Sequence, residues 1–293
     1  MARKRKLSDV TFDFINYALV VILTILFLYP MYYVVMASLS DSNLLIAHSG
    51  LLLKPLGLNL SAYKMVLEYP WIVTGFKNTL IVVACGVTLN IILTICGAYF
   101  LSRRGLSLTN VCMKLIVVTM FFTGGLIPTY LTVRNLGLFD SYLALILPSA
   151  INTTNLIIMR TAFVSVPKEI QESAEVDGAN DLIILFRIIA PVSMPTIAVI
   201  ILYYGVAHWN AWFNAMIYIQ DRELYPIQLI LREILVNNSA DSMSTTVASG
   251  DSPQISETIK YATVVIVTVP ILCIYPFLQK YFVKGIMIGS VKG

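Results

Sequence analysis

The stretch NTLIVVACGVTLNIILTICGAYFLS (residues 78–102) decides the fold class, because its 25 residues include no Asp, Glu, Lys or Arg. A helix needs about 20 apolar residues to cross the hydrocarbon core of a bilayer. The stretch is apolar all round, whereas the strands of a membrane barrel alternate apolar and polar residues. It therefore predicts a membrane-spanning α-helix.

Five more charge-free runs of similar length occur in the chain. They are Phe14–Ser40, Leu115–Val133, Ser141–Met159, Ile188–Gln220 and Tyr261–Gln279. The run Ile188–Gln220 has 33 residues, which is longer than one span needs, so part of it is expected at the membrane interface. With 58% hydrophobic residues, the chain has too little polar surface for a soluble protein of this size. We predict an all-α integral membrane protein, a single domain over residues 1–293 with six transmembrane helices.

The first run follows the basic segment MARKRK, which raises the alternative of a signal peptide. The apolar core of a signal peptide is about 7–15 residues long, so Phe14–Ser40 is interpreted as an uncleaved first span. Lys and Arg are concentrated on the segments that share a side with this N-terminus, and basic loops face the cytoplasm. Both termini are therefore predicted to be cytoplasmic, with outer segments at residues 41–77 and 221–260.

No residue pattern for catalysis or metal binding is visible. The two histidines, His48 and His208, belong to no cluster of metal ligands, and the four cysteines are expected to pack as small apolar residues. The chain has no GxxxxGK[ST] segment, so it is not expected to hydrolyse ATP itself. Catalytic residues, metals and bound cofactors are all predicted to be absent, and no partner nucleic acid is expected.

The segment EIQESAEVDGAN (residues 169–180) is the exception to this apolar composition. It lies in the cytoplasmic loop between predicted spans four and five, which we call the acidic loop (residues 164–190). Pro167 suits the first turn of a helix, with Ser165 placed to help cap it, and Gly178 suits its end. Helical spacing puts Ile170 and Ala174 on one side and the glutamates on the other. The sequence predicts a short amphipathic helix outside the membrane, either a solvated connector or a docking surface.

The acidic loop resembles the EAA loop of membrane permeases in binding-protein-dependent ABC importers. That pattern has Glu-Ala-Ala, a glycine four residues after the second Ala, and then Ile-x-Leu-Pro. This chain matches it at Glu172, Ala174, Gly178, Ile188 and Pro191, and departs from it at two small residues, Ser173 and Ala190.

Other fragments extend the resemblance to the carbohydrate-importing branch of these permeases. They are FKNTL (76–80), AYFLSRRGL (98–106), GGLIPTYL (124–131), HWNAWFNAMIYI (208–219) and FVKGIMIGSVKG (282–293). Within that branch the chain is similar to permeases for oligosaccharides, including the group that handles uronate-rich polymers such as alginate.

The resemblance implies that the acidic loop docks into a cleft on a separate ATP-hydrolysing subunit. ATP and Mg would bind to that subunit and not to this chain. The cytoplasmic tail (residues 280–293) is similar to one that contacts the ATPase pair. The residues expected to couple the chain to the ATPases are Glu172, Ser173, Ala174, Asp177, Gly178, Ala179, Pro191, Gly289 and Ser290.

The substrate pathway is predicted along HWNAWFNAMIYI and the turn before it. On one continuous helix, Trp209 and Trp212 would share a face, and Asn210 and Asn214 a neighbouring one. Aromatic faces and amides suit sugar rings, and Tyr203 lies two turns earlier. The alternatives are an aromatic belt at the membrane interface and Asn bonds between helices.

The resemblance also implies a complete assembly in the bacterial inner membrane. Its parts would be a second homologous permease, two ATP-binding subunits and an extracytoplasmic solute-binding protein, which the outer loop (residues 221–258) would contact. An ion-coupled secondary transporter or channel subunit is the alternative. Such carriers usually place a charged residue within a span, and all six runs lack one. A purely structural membrane anchor would leave HWNAWFNAMIYI unexplained.

Overall fold

The computed structural model describes residues 7–103, 107–236, 257–274 and 276, and this part of the chain is helical without strands. The predicted all-α class is thereby confirmed for these residues. In chain order the helices are α1 (Leu7–Ser38), α2 (Ser42–Ala47), α3 (Ser61–Glu68), α4 (Pro70–Ser102), α5 (Ser107–Val118), α6 (Leu126–Asn135), α7 (Tyr142–Ile146), α8 (Thr153–Val164), α9 (Lys168–Val176), α10 (Asp181–Ile183), α11 (Ala190–Val192), α12 (Met194–Trp209), α13 (Phe213–Tyr218), α14 (Ile227–Val236) and α15 (Glu257–Ile274).

The chain divides into two compact units, one of residues 1–69 and 233–268 and the other of residues 70–232 and 269–293. In the first unit, the apolar side chains of α1 are mostly exposed, as a lipid-facing helix requires. Near the end of α1 the ring of Tyr33 packs edge-on against Tyr261, with 5.8 Å between centroids. Asp41 caps α2 by accepting a 3.0 Å hydrogen bond from the amide of Asn43.

The second unit is organised around α4, which packs against both α8 and α12. One stripe of α4, repeating every four residues, is buried: Asn78, Val82, Gly86, Asn90, Thr94 and Ala98. Small and polar residues are the usual contact residues between membrane helices, because they allow close approach and hydrogen bonding. This stripe determines which face of α4 meets its neighbours.

Three described helices are long and apolar enough to cross a membrane: Thr11–Ser38, Pro70–Ser102 and Glu257–Ile274. Two bent pairs would raise the number to five, Tyr142–Ser149 with Thr153–Val164 at 52° and Asp181–Val192 with Met194–Trp209 at 86°. The predicted third run, Leu115–Val133, is not one continuous helix. It is interrupted at residues 119–125, where Gly125 has a φ of +83° that most residues avoid.

The 86° bend follows the acidic loop and has a local cause. Residues Ile184–Ile189 form a π-helical turn, and Pro191 and Pro195 come soon after it. A proline has no amide hydrogen to donate to the preceding turn of a helix, so helices bend at such positions. Ser193, which is buried, joins the two arms.

Candidate functional site

The helix of the acidic loop is α9, and its ends differ in part from the prediction. Pro167 is the residue before the helix, with extended backbone, and Ser165 caps nothing there. Ser165 ends α8 instead, and its hydroxyl donates to the carbonyl of Ala162 at 2.7 Å. Val166, whose amide still donates to the carbonyl of Phe163 in α8, and Pro167 separate Ser165 from the start of α9, so Ser165 does not cap α9.

The end of α9 forms where the sequence predicts it. Gly178 has a φ of +81°, its amide donates to the carbonyl of Glu175 at 3.0 Å, and the amide of Ala179 donates to the carbonyl of Ala174 at 3.0 Å. This pair of hydrogen bonds is the Schellman arrangement, which favours glycine at the left-handed position. The backbone of Gly178 therefore fixes where α9 stops.

One side of α9 is buried and the other is open. Ala174 belongs to a core cluster of the described residues that also contains Ile184 and Ile189. Glu172 and Val176 are exposed, Val176 by 88%. Ile170, predicted to share the buried side with Ala174, is 42% exposed. The helix thus presents an acidic and apolar surface that nothing in the described part of the chain covers.

Arg103 fixes this helix to the end of α4. Its guanidinium donates to Gln171 Oε1 at 3.1 Å and to Glu175 Oε1 at 2.9 Å, and it also pairs with Asp181 beyond Gly178. The hydroxyl of Tyr99 donates to the same Asp181 carboxylate at 2.7 Å. Both sides of the turn at Gly178 are therefore tied to one arginine.

The pKa values of Arg103 and Asp181 shift in the directions that favour an ion pair between them. The hydrogen bond from Tyr99, and then the guanidinium of Arg103, lower the pKa of the Asp181 carboxyl despite the opposing effect of burial. Burial lowers the pKa of Arg103, but the hydrogen bond to Glu175 and the pairing with Asp181 outweigh it and leave the pKa raised. The raised pKa of Arg103 and the lowered pKa of Asp181 both favour the charged forms that their pairing requires. Sequence reasoning used Arg103 only to orient the chain, because its partners are about 70 residues away.

A second candidate region is a cavity of about 630 Å³ between α4, the segment 145–155 and α12, which we call the α4–α12 cavity. Small-molecule sites in proteins have volumes of this order. The polar side chains on its wall include Asn90, Asn152, Asn155, Tyr203, His208 and Asn214. Tyr204 also lines the cavity and links the helices around it. Its hydroxyl lies 2.8 Å from Thr94 Oγ1 and accepts a hydrogen bond from the backbone amide of Asn152 at 3.0 Å.

Two of the five predicted pathway residues line this cavity. Tyr203 and Asn214 line it, whereas Trp209 is buried against Phe76 at a centroid distance of 6.2 Å. Trp212 is 38% exposed, and the guanidinium of Arg232 lies 4.9 Å from the centroid of its ring. Asn210 is exposed at the end of α12.

The predicted pairing of faces is wrong because it assumed one continuous helix through residues 208–219. The helix ends at Trp209 and restarts at Phe213, so three-residue spacing across the break has no helical meaning. Four of the polar residues named on the cavity wall were missed as site candidates: Asn90, Asn152, Asn155 and His208. Asn90 lies within a run of mostly apolar residues, and His208 was interpreted as a packed residue. The available signal was the rarity of such residues within a span.

Several predicted coupling residues have a clear place in the structure. Ser173, Asp177 and Pro191 are exposed, and Ala179 is partly buried against the core cluster around Ala174. Gly289, Ser290 and the tail 280–293 lie outside the described residues, as do residues 237–256 of the outer loop. Among the described residues, no group of three or more His, Cys, Asp or Glu is arranged to hold a metal ion.

The chain has clear relatives among known proteins, although no protein-family model matches it. It is 39% identical over 282 residues to the polygalacturonan/rhamnogalacturonan transport system permease protein YtcP of Bacillus subtilis (strain 168), covering 96% of this chain and 98% of that protein. It is 39% identical over 268 residues to the protein LplC of the same strain, covering 90% and 89%.

A solved structure is also similar. It is a bacterial ABC transporter involved in the import of the acidic polysaccharide alginate, one chain of which matches with a TM-score of 0.87 at 32% identity. The match covers 96% of this chain and 100% of that chain.

Proposed function

Since this chain belongs to the permease subunits of sugar ABC transporters, we propose that it forms part of the membrane pathway of an ATP-driven importer for oligosaccharides. The resemblance carried by residues 172–191 is thereby confirmed at the level of the family. The oligosaccharide itself is proposed to be rich in uronates, because YtcP and the alginate transporter are named for polymers that contain them.

The proposed topology has six spans with both termini in the cytoplasm of a bacterial inner membrane. Three span-length helices and the two bent pairs supply five. The sixth would use the interrupted segment around α5 and α6, because protein packing allows a broken helix at membrane depth. The basic N-terminal segment supports this orientation.

The observation that carries the proposal is the exposed face of α9 combined with its attachment through Arg103. A solvated connector would not need three polar contacts to the end of a membrane helix. A helix that receives force from another protein needs both an open contact surface and a firm anchor. We propose that Glu172, Ser173, Asp177 and Gly178 dock on an ATP-hydrolysing subunit, with Gly289 and Ser290 of the tail near the same subunit, and that Ala174, Ala179 and Pro191 shape the loop.

The remaining partners follow from the same proposal. One chain forms only one wall of a route for an oligosaccharide, so a second, homologous permease would supply the other. Two ATP-binding subunits would carry ATP and Mg, and the outer loop (residues 221–258) would contact an extracytoplasmic solute-binding protein. Tyr203 and Asn214 would line the sugar route, whereas Trp209, Asn210 and Trp212 would act at its rim or in packing.

The test is uptake by the complete transporter in proteoliposomes. The chain is co-expressed with a candidate partner permease, ATPase subunits and a solute-binding protein, and uptake of labelled trigalacturonate is measured with and without ATP. We expect uptake that requires ATP and the binding protein. Uptake driven by an ion gradient without ATP would instead favour a secondary transporter, and deletion of residues 238–252 without effect at limiting sugar would make the outer loop a linker.

A further inference from the structure

The carboxamide of Asn90 is a buried polar group with an incomplete set of hydrogen bonds. Its Nδ2 donates to the carbonyl of Ser149 at 3.3 Å and lies 3.1 Å from Nε2 of His208. Its Oδ1 is buried and has no partner within the described part of the chain. An unsatisfied buried acceptor is costly, so this oxygen needs one more donor, from an ordered water or from a ligand.

The orientation of this amide is determined by its neighbours. A flipped carboxamide would place Oδ1 against the carbonyl oxygen of Ser149, where two acceptors would repel each other. Both hydrogens of Nδ2 are therefore used, one on Ser149 and one on His208, whose Nε2 then accepts. Two lone pairs on Asn90 Oδ1 are left to receive a donor.

The cavity wall mixes polar and apolar residues and is uncharged. The described residues that line the α4–α12 cavity include asparagine, tyrosine, serine, threonine and histidine, and none is Lys, Arg, Asp or Glu. Asn90 lies twelve residues before the end of α4, or about 18 Å along the helix axis, which is well inside the bilayer. A carboxylate brought here would lose its hydration without gaining a cation.

We propose that the α4–α12 cavity is a binding site for an uncharged, hydroxyl-bearing sugar ring, with Asn90 Oδ1 as the acceptor that selects a hydroxyl over a carboxylate. This inference rests on the proposed function and names the part of the substrate that this wall takes. A site built to pair with a hydroxyl discriminates strongly against a group that cannot donate. Any carboxylate of a uronate unit would then face another wall of the route.

The test uses two probes that differ only at their carboxyl groups, which are ionised in trigalacturonate and neutral in its fully methyl-esterified form. The reporter is Asn214→Cys, at the cavity wall, in a chain whose four native cysteines are replaced by alanine. Membranes containing the assembled transporter are treated with a charged maleimide, and protection of the reporter is followed against sugar concentration. We expect the ester to protect at about tenfold lower concentration than the acid, and Asn90→Leu to abolish that difference.

A second pair of variants tests the same site independently, so that the test still holds if Asn90→Leu does not fold. A Cβ at Gly86 would lie 2.6 Å from His208 Nε2 and must displace that ring from Asn90, whereas a Cβ at Gly205 would meet Val87 at an ordinary 4.0 Å. Gly86→Ala should weaken protection by the ester severalfold, and Gly205→Ala should leave it unchanged.

Three results would overturn the inference: equal protection by acid and ester, a preference that survives Asn90→Leu, or no protection by either sugar. The last would mean that only a buried water reaches Asn90 Oδ1. Identical behaviour of Gly86→Ala and Gly205→Ala would also contradict it. Protection is measured without ATP, so its failure is separate from a failure of ATP-dependent uptake.

Discussion

Arg103 Nη2 and Glu175 Oε1 lie 2.9 Å apart, joining the end of α4 to the last turn of α9. The arginine side chain is 25% exposed and that of Glu175 is 48% exposed, so solvent weakens the pair without removing it. The pair matters because of where it lies: it connects α9 to α4, the helix that also carries Asn90 and Thr94 on its buried stripe. Movement of α9 has a direct route to the helix that forms the cavity wall.

The first prediction is that Arg103→Gln uncouples ATP hydrolysis from transport. Losing the charge should destabilise docking of α9 on α4 by about 1 kcal/mol, which lowers the docked population roughly fivefold relative to the detached one. We expect ATPase activity to persist while sugar moved per ATP falls. Arg134→Gln, at an exposed arginine on α6, is the matched control and should behave like the unmodified chain. An unchanged transport-to-ATPase ratio in Arg103→Gln would exclude a coupling role for Arg103.

The second prediction concerns the left-handed backbone of Gly178. A Cβ there would meet nothing within 4 Å in the described structure, so the cost of a side chain is conformational, apart from any contact with a docked subunit. Gly178→Val should cost about 1–2 kcal/mol at the end of α9, whereas asparagine tolerates positive φ. Ligand-stimulated ATPase activity should fall in Gly178→Val and be largely retained in Gly178→Asn, with equal membrane insertion. Full ligand-stimulated ATPase activity in Gly178→Val would contradict a docking role for this turn.

The third prediction concerns the contact of α14 with α4. A Cβ at Gly75 would lie 2.5 Å from Ile230 Cδ1 and 3.1 Å from Ile227 Cα, so Gly75→Ala must push α14 away. Overpacking of this kind costs about 1–3 kcal/mol. Amide hydrogen exchange in residues 227–236 should become faster, and the thermal midpoint of the purified chain should drop. Gly205→Ala, whose added methyl has room, should change neither, and slow exchange in both variants would refute the contact.

The fourth prediction concerns the tail, which lies outside the described residues. Removing residues 286–293 should lower coupled ATPase activity in detergent, where no anionic lipid is present, if Gly289 and Ser290 touch an ATPase subunit. The alternative is a basic tail held by anionic lipid, with each Lys contributing about 1 kcal/mol. An effect of truncation that appears only in anionic membranes would support the lipid alternative.

The acidic loop could be predicted from sequence because its signals are local. Gly178 ends α9 through its own backbone, and Ala174 faces the core because helical spacing places it there. The breaks at Gly125 and between Trp209 and Phe213 were missed, since apolar composition continues through both. The roles of Arg103, Asn90 and His208 depend on partners tens of residues or more away, and one sequence does not show which side chains tertiary packing brings together.

The distribution of the Arg103 bonds on both sides of the Gly178 turn has a mechanical consequence. A helix held against its neighbours by apolar packing alone resists separation, but that packing is non-directional and allows the helix to slide. Directional hydrogen bonds and an ion pair also resist tension. In the proposed coupling role, this attachment would let α9 both push and pull on the end of α4.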